Sequence, residues 1–253
     1  MIKNIKKKLV AFTLAETLIV MGIIGVVAAL TIPNLNSSTA DKEKVAKVKK
    51  LYSNMNDALG RAEAVYGPIA EWFKNDGTST SAMSNRFGER MTEFLKVSKN
   101  CAIKTDQGCF SNGAKSVKMR SNEELDTQQY DKSSDYYKVQ LADGTSVAFR
   151  MNLPRGTEGG AYFGQIYVNL DGPNKGARKV NKNIFGFIIN NGELQPSGAN
   201  QAENVCFTDL GNLNPYCTKW VIENDNLDYL KADASGKCPN GKVLNWTTNT
   251  TCK

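Results

Sequence analysis

Residues 6–33 read KKKLVAFTLAETLIVMGIIGVVAALTIP. From Phe12 to Ile32 the run is apolar apart from a few hydroxyls and one carboxylate, Glu16. A helix over those residues would reach about 31 Å, close to the thickness of a hydrocarbon core. An ionised side chain near the centre of such a helix costs about 2.5–3.5 kcal/mol, less near an end, and it usually has a partner. The reading of the stretch therefore turns on what Glu16 meets.

Three readings compete. A plain single-pass anchor gives Glu16 no role. A secretory signal peptide cut near Ala28–Ala29 would hold an uncharged core of about 7–15 residues, and the run after Glu16 is longer. A cut just before Phe12 would create an α-ammonium one helical turn from Glu16. In a bundle of identical, staggered helices, Glu16 of one copy then meets the Phe12 ammonium of the next. Each charge is neutralised among apolar side chains, and the pair sets the stagger.

The residues K-K-K-L-V-A-F-T-L-A-E and the apolar run after them resemble the class III signal of type IV pilins and type II secretion pseudopilins. The resemblance covers roughly residues 6–35. It implies cleavage by a prepilin peptidase after Ala11, N-methylation of Phe12, and an assembly role for Glu16 and Pro33. Gly22, Gly25 and Pro33 stand where many pilin helices carry Gly and Pro. The family prefers Gly before the cut, where this chain has Ala11. The implied domains are a cleaved basic leader (1–11), an apolar transmembrane and assembly helix (12–33) and an extracytoplasmic globular domain (34–253). The implied partners are other pilin or pseudopilin subunits, an inner-membrane assembly platform, and membrane lipid before assembly. The implied location is the bacterial cytoplasmic membrane, single-pass, and then a filament.

Charge and cysteines agree with an exported chain. The net charge is +7, but Lys3, Lys6, Lys7 and Lys8 supply four of it, leaving +3 elsewhere. A basic leader before an apolar run is an address and an orientation signal first. The stretch DKEKVAKVKK at 41–50 mixes in Asp41 and Glu43 and reads as a solvated helix face. Six cysteines, Cys101, Cys109, Cys206, Cys217, Cys238 and Cys252, contain no C-x-x-C, and the chain has no histidine. A structural zinc is therefore disfavoured, and an even count in an exported chain reads as disulfides. Many connectivities are open; sequential pairing is favoured because it closes three local loops.

Further along, Pro33 should kink or open the helix. Val45, Val48, Leu51, Met55, Leu59 and Ala62 then recur at spacings of three and four, one apolar helix face that ends at Gly67-Pro68. The expectation is one long interrupted helix from Phe12 to Tyr66, its second half docked on a sheet. A short helix is expected over Asn85–Lys99, with Phe87, Met91, Phe94 and Leu95 inward. Residues 99–130 read as a loop stapled by Cys101 and Cys109. YYKVQLA and TSVAFRM flank Asp143-Gly144, a hairpin signal, and YFGQIYVNL (162–170) and NIFGFIIN (183–190) follow. Asn191-Gly192 then turns the chain into Glu193-Leu194. That predicts an α+β fold, pilin-like, with about four antiparallel strands and disulfide-stapled loops. Trp220–Ile222 is a candidate edge strand.

Catalytic signals are sparse. Without histidine, Ser-His and Cys-His machinery is excluded. There is no phosphate-binding G-x-x-x-x-G-K-[ST] motif and no dinucleotide fingerprint in a βαβ setting. The chain reads as a non-enzyme. Asp171, with Asn169, Asn174 and backbone carbonyls, offers oxygen ligands for calcium. The resemblance points the same way, since related pseudopilins hold calcium in sheet-side loops. One carboxylate among Lys175, Arg178, Lys179 and Lys182 favours a simple turn. Basic and aromatic residues mix over 162–187, so single-stranded DNA is the weaker partner reading. The leading function is a structural subunit: pilin, minor pilin or pseudopilin. The alternatives are a membrane-anchored extracytoplasmic binding domain and a DNA-uptake or adhesive minor pilin.

Overall fold

The computed structural model describes residues 14–73, 79–112, 130–152, 163–174, 178–190, 192–202, 204–208 and 214–253, without the side chains of 30–38, 163 and 208. The chain divides after Asp41 into two units, and the larger is Lys42–Lys253.

Helix α1 spans Leu14–Tyr66, 53 residues. Its backbone is helical through position 33, where an opening was expected. A proline removes one donor but leaves the bonds of neighbouring turns in place. Among the described residues no helix is long and apolar enough to cross a membrane. This corrects the expected membrane-spanning half. The apolar residues whose side chains are described, 14 through 29, reach only about 24 Å and carry Glu16, against about 30 Å of hydrocarbon.

In the larger unit the sheet has six strands, not about four: β1 (Val97–Ala102), β2 (Tyr137–Leu141), β3 (Ser146–Asn152), β4 (Phe163–Asn169), β5 (Ile184–Asn190) and β6 (Glu193–Pro196). They lie in chain order and every neighbouring pair is antiparallel, a simple meander. The turn between β2 and β3 takes Ala142, Asp143 and Gly144, with Gly144 at φ +84°. Strand β1 is the addition. Its residues VSKNCA show no apolar alternation, and it pairs with β2 through two register irregularities. An exposed edge strand draws its stability from its partner's backbone, so its side chains carry little signal.

Residues 42–66 of α1 bury Val45, Val48, Leu51, Met55, Ala58, Leu59 and Ala62 in one cluster with Val139, Val147, Phe149, Ile166, Val168 and Phe187 of the sheet. Two polar tethers support the docking. The Tyr52 hydroxyl donates to the Leu194 carbonyl (3.1 Å), and Lys47 Nζ donates to the Leu170 carbonyl (2.6 Å). Tyr52 also stacks on Phe187, with centroids 5.5 Å apart.

Helix α2 (Thr80–Thr92) packs on β3 through Phe87, whose ring meets Phe149 edge-on at 5.5 Å. It overlaps the expected Asn85–Lys99 segment but starts five residues earlier and ends at Thr92. Its N-cap is Ser79, whose hydroxyl accepts from the Ala82 amide, so the helix starts in the Ser/Thr-rich run. Phe87 and Met91 are buried, and Phe94 and Leu95 pack against the same core from beyond its end. A Cβ at Gly88 would fall 2.1 Å from the Tyr137 ring, so glycine is what allows this approach.

Two short helices follow, α3 (Val205–Thr208) and α4 (Thr218–Asn224). Trp220–Ile222 lies inside α4 and is not an edge strand. The Val221 amide donates to the Cys217 carbonyl, one helical turn back, and Thr218, Trp220 and Val221 are buried. Tertiary packing overrides the β-propensity of Trp-Val-Ile.

Candidate functional site

Between Leu14 and Val27, α1 presents Leu14, Leu18, Ile19, Val20, Met21, Ile23, Ile24, Val26 and Val27, each more than half exposed. They fall on all sides of the helix, since positions 18, 19, 20 and 21 point in four directions. Glu16 stands in the first turn, where a carboxylate is favoured by the helix dipole. A Cβ at Gly22 or Gly25 would meet nothing within 4 Å. Ala11 and Phe12 lie outside the described residues, as does the side chain of Pro33.

In the larger unit the cysteines form three disulfides in sequence order: Cys101–Cys109, Cys206–Cys217 and Cys238–Cys252. Each closes around a polar hub. The Asp131 carboxylate accepts from the amides of Gly108 (2.7 Å), Cys109 (3.2 Å) and Phe110 (3.4 Å), tying the first loop to the segment before β2. Asn181 accepts from the Cys217 amide and donates to the Asn214 carbonyl, and its own carbonyl takes the Tyr229 hydroxyl. Asp228 accepts from the Cys252 amide (2.8 Å) and from Lys231 (2.5 Å).

Asp171 sits in a turn. Its carboxylate accepts from the Asn183 side chain, its amide donates to Asn169 Oδ1, and the Asn169 amide group bonds Ser111 and Gly172. Asn174 is exposed beyond it. Among the described residues no group of three or more acidic or cysteine side chains is placed to hold a metal ion. The aromatics at 167, 185 and 187, candidates for base stacking, are buried in the sheet.

Residues 34–250 match a family described as "Family of unknown function (DUF6613)". The chain belongs to the DUF6613 family. No curated protein and no solved structure matches it. The DUF6613 match covers the sheet and the first two disulfides, and leaves Cys252 and the apolar residues 14–29 outside.

Within the DUF6613 region the sheet has a second, smaller core that sequence reasoning missed. Phe110, Tyr130, Ala148, Tyr167, Val180 and Ile184 cluster with Tyr136 on the face opposite α1. The Tyr130 ring meets Phe110 and Tyr167 tilted and Tyr136 edge-on, with centroids 4.6–5.2 Å apart. Lys138 is fully buried beside them, its ammonium bonding the Ser133 carbonyl at 2.8 Å. The alternation of YYKVQLA held the signal: Tyr136 and Lys138 share one face, Tyr137, Val139 and Leu141 the other. Burial pushes the Tyr130, Tyr136 and Tyr167 phenols above their usual value and pushes the Lys138 ammonium below its own. At the β2–β3 turn, partial burial would raise the Asp143 carboxyl. Hydrogen bonds from Thr145, with Lys47 and Lys50 nearby, outweigh it and hold the group below its usual value.

Proposed function

We propose that this chain is a structural subunit of a type IV filament: a pilin, minor pilin or secretion pseudopilin. The observation that carries the reading is the all-round apolar surface of residues 14–27. Burying a large apolar side chain is worth about 1.5–3 kcal/mol, so nine of them on one helix favour a covering partner. A single docked sheet would cover one face. Several copies of the same helix cover all of them. The resemblance of residues 6–16 to the class III signal supports this partner, with a prepilin peptidase exposing Phe12 and an assembly platform stacking the copies. The three disulfides support an exported, extracytoplasmic setting for the larger unit.

The mechanism is assembly rather than turnover. Glu16 of one copy pairs with the methylated Phe12 ammonium of the next, which neutralises both charges and sets the stagger. Two measurements test it. Intact mass of the chain from its native host should show loss of residues 1–11 and gain of one methyl group. Immunoblotting should find the chain in sheared filaments. An uncut Met1, a start near Thr31, or absence from filaments would overturn the reading.

A further inference from the structure

The three bridges are consecutive. None encloses or crosses another, and the bonded cysteines stand only 8, 11 and 14 positions apart. The intervals between bridges are longer: Cys109 and Cys206 lie 97 positions apart, and Cys217 and Cys238 lie 21 apart. Five of the six cysteines are buried, and Cys252 is half-buried. The backbone amide of the second cysteine in each pair is held by a side chain from outside the loop. Asp131 holds Cys109, Asn181 holds Cys217 and Asp228 holds Cys252. All three of those side chains are themselves buried. An oxidant acting on the closed fold would find the sulfurs covered, so the thiols meet it while their loops are still open.

Chance encounter along an open chain falls with loop length as about the −3/2 power. Cys109 therefore meets Cys101 about 40-fold more often than it meets Cys206. The later thiols are less well separated. Cys217 favours Cys206 over Cys238 by only about 2.6-fold, and Cys238 favours Cys252 over Cys217 by about 1.8-fold. In a complete open chain, about a third of first closures among those four would be crossed. Order of emergence removes the ambiguity. A chain made or threaded from its N-terminus presents Cys206 and Cys217 while Cys238 is still 21 positions behind. At about 5–20 residues per second that interval lasts about 1–4 s. Uncatalysed disulfide formation takes seconds to hours, so a catalyst is what keeps the reaction inside the interval.

From this arrangement we infer that the chain is the substrate of a dithiol oxidase that closes its bridges in chain order, before each loop packs onto the fold, and that it then needs no disulfide isomerase. A thiolate of the chain attacks the oxidase disulfide, forming a mixed disulfide and releasing one oxidase thiolate. The second thiolate of the pair attacks the chain sulfur of that mixed disulfide and releases the other. One S–S bond forms in the chain and one is lost from the oxidase. Two electrons and two protons pass to the oxidase, which leaves as a dithiol. At each closure no third thiol of the chain is both exposed and unpaired, so no crossed product arises that would need reshuffling. The inference does not rest on the filament reading, because it follows from the positions of the bridges alone.

The test uses the full chain, made by cell-free synthesis in a zwitterionic detergent. One sample carries a purified dithiol oxidase in its disulfide form throughout synthesis. The other is synthesised reduced, freed of reductant, and given the same oxidase after release. Neither contains an isomerase, and non-reducing peptide mapping reads the pairs. The first sample should hold all three native bridges in about nine-tenths of molecules or more. The second should keep Cys101–Cys109 and show crossed pairs among the last four cysteines in about a third of molecules. Equal crossed fractions in the two samples overturn the inference. If both are low, the fold directs pairing; if both are high, order directs nothing. It is also overturned if Cys101 or Cys109 joins a later cysteine in the first sample, or if the native set appears there only after an isomerase is added.

Discussion

Residues 14–29 and 42–66 belong to one helix, α1, and differ in how their apolar side chains are covered. The second segment is amphipathic: seven apolar residues are buried in the core of its own unit, while Lys49, Lys50, Asp57 and Arg61 keep the other side polar. The first segment is apolar all round, and its large side chains are exposed. The core of the larger unit covers the apolar face of the second segment, whereas the large apolar side chains of the first are exposed. The difference teaches that a helix's own pattern states how many sides must be covered, and that only a polar side spares it a further partner.

The largest expected effect breaks the comparison at its two ends. Leu51→Asp places an unpaired carboxylate in the core and should destabilise the larger unit by at least about 3 kcal/mol, measured by denaturant unfolding. Ile19→Asp should leave that midpoint unchanged and abolish incorporation into filaments. If both substitutions shift the unfolding midpoint equally, the two segments are not distinct in role.

Glu16→Leu sharpens the same contrast. Losing one partner of a buried charge pair costs about 3–5 kcal/mol. The variant should be cut normally and fail to appear in sheared filaments, while the larger unit melts as before. Normal incorporation would remove Glu16 as the register device. A subunit at the filament tip, with no neighbour above it, should instead show fewer filaments per cell.

The staples should act on the larger unit alone. Replacing Cys238 and Cys252 by Ser opens a loop of sequence separation 14 and should cost about 2–3 kcal/mol in unfolding free energy. Filament entry at a permissive temperature should persist. Loss of entry without loss of stability would mean that the C-terminal loops contact neighbouring subunits.

The smallest effect is alkaline. The phenols of buried Tyr130 and Tyr167 and of half-buried Tyr136 ionise at higher pH in the folded chain than in the unfolded one, whose phenols titrate near about 10. Above that pH the folded state holds more protons, so stability should fall as pH rises. Lys138, with its ammonium depressed by burial, works the other way, and stability rises as pH climbs towards its unfolded value near about 10.5. Three groups outnumber one, so the unfolding midpoint should drop on going from pH 9 to about 11. A flat or rising profile would mean that the phenols are not protected. Tyr130→Phe should lessen the drop.

Much of the second segment was legible because helix burial repeats every three to four residues, and Val45, Val48, Leu51, Met55, Leu59 and Ala62 are read from near neighbours. Strands β2 to β5 were legible for a similar reason, alternation bounded by Gly and Asn turns. Ala58 was missed because its neighbour Leu59 already filled that turn's place in the three-and-four spacing. The start of α2 was missed because Ser79 caps a helix whose first turn is Ser/Thr-rich. The expected calcium ligand Asp171 proved to be held by Asn183, a partner twelve residues away that no local pattern announces.

The sequence by itself determined that residues 14–29 need covering on every side, that the cysteines lie close enough to pair locally, and where the chain turns. These are properties of single residues and their immediate spacing. Only the tertiary structure decided that VSKNCA is a strand and Trp220–Ile222 a helix. It also decided that Tyr130, Tyr136, Tyr167 and Lys138 share the sheet face opposite α1. An edge strand is stabilised by its partner's hydrogen bonds, and the second core is made by segments up to 74 residues apart, from Phe110 to Ile184. Neither leaves a period in the sequence, because in both cases the interacting groups become neighbours only after the meander and its staples have formed.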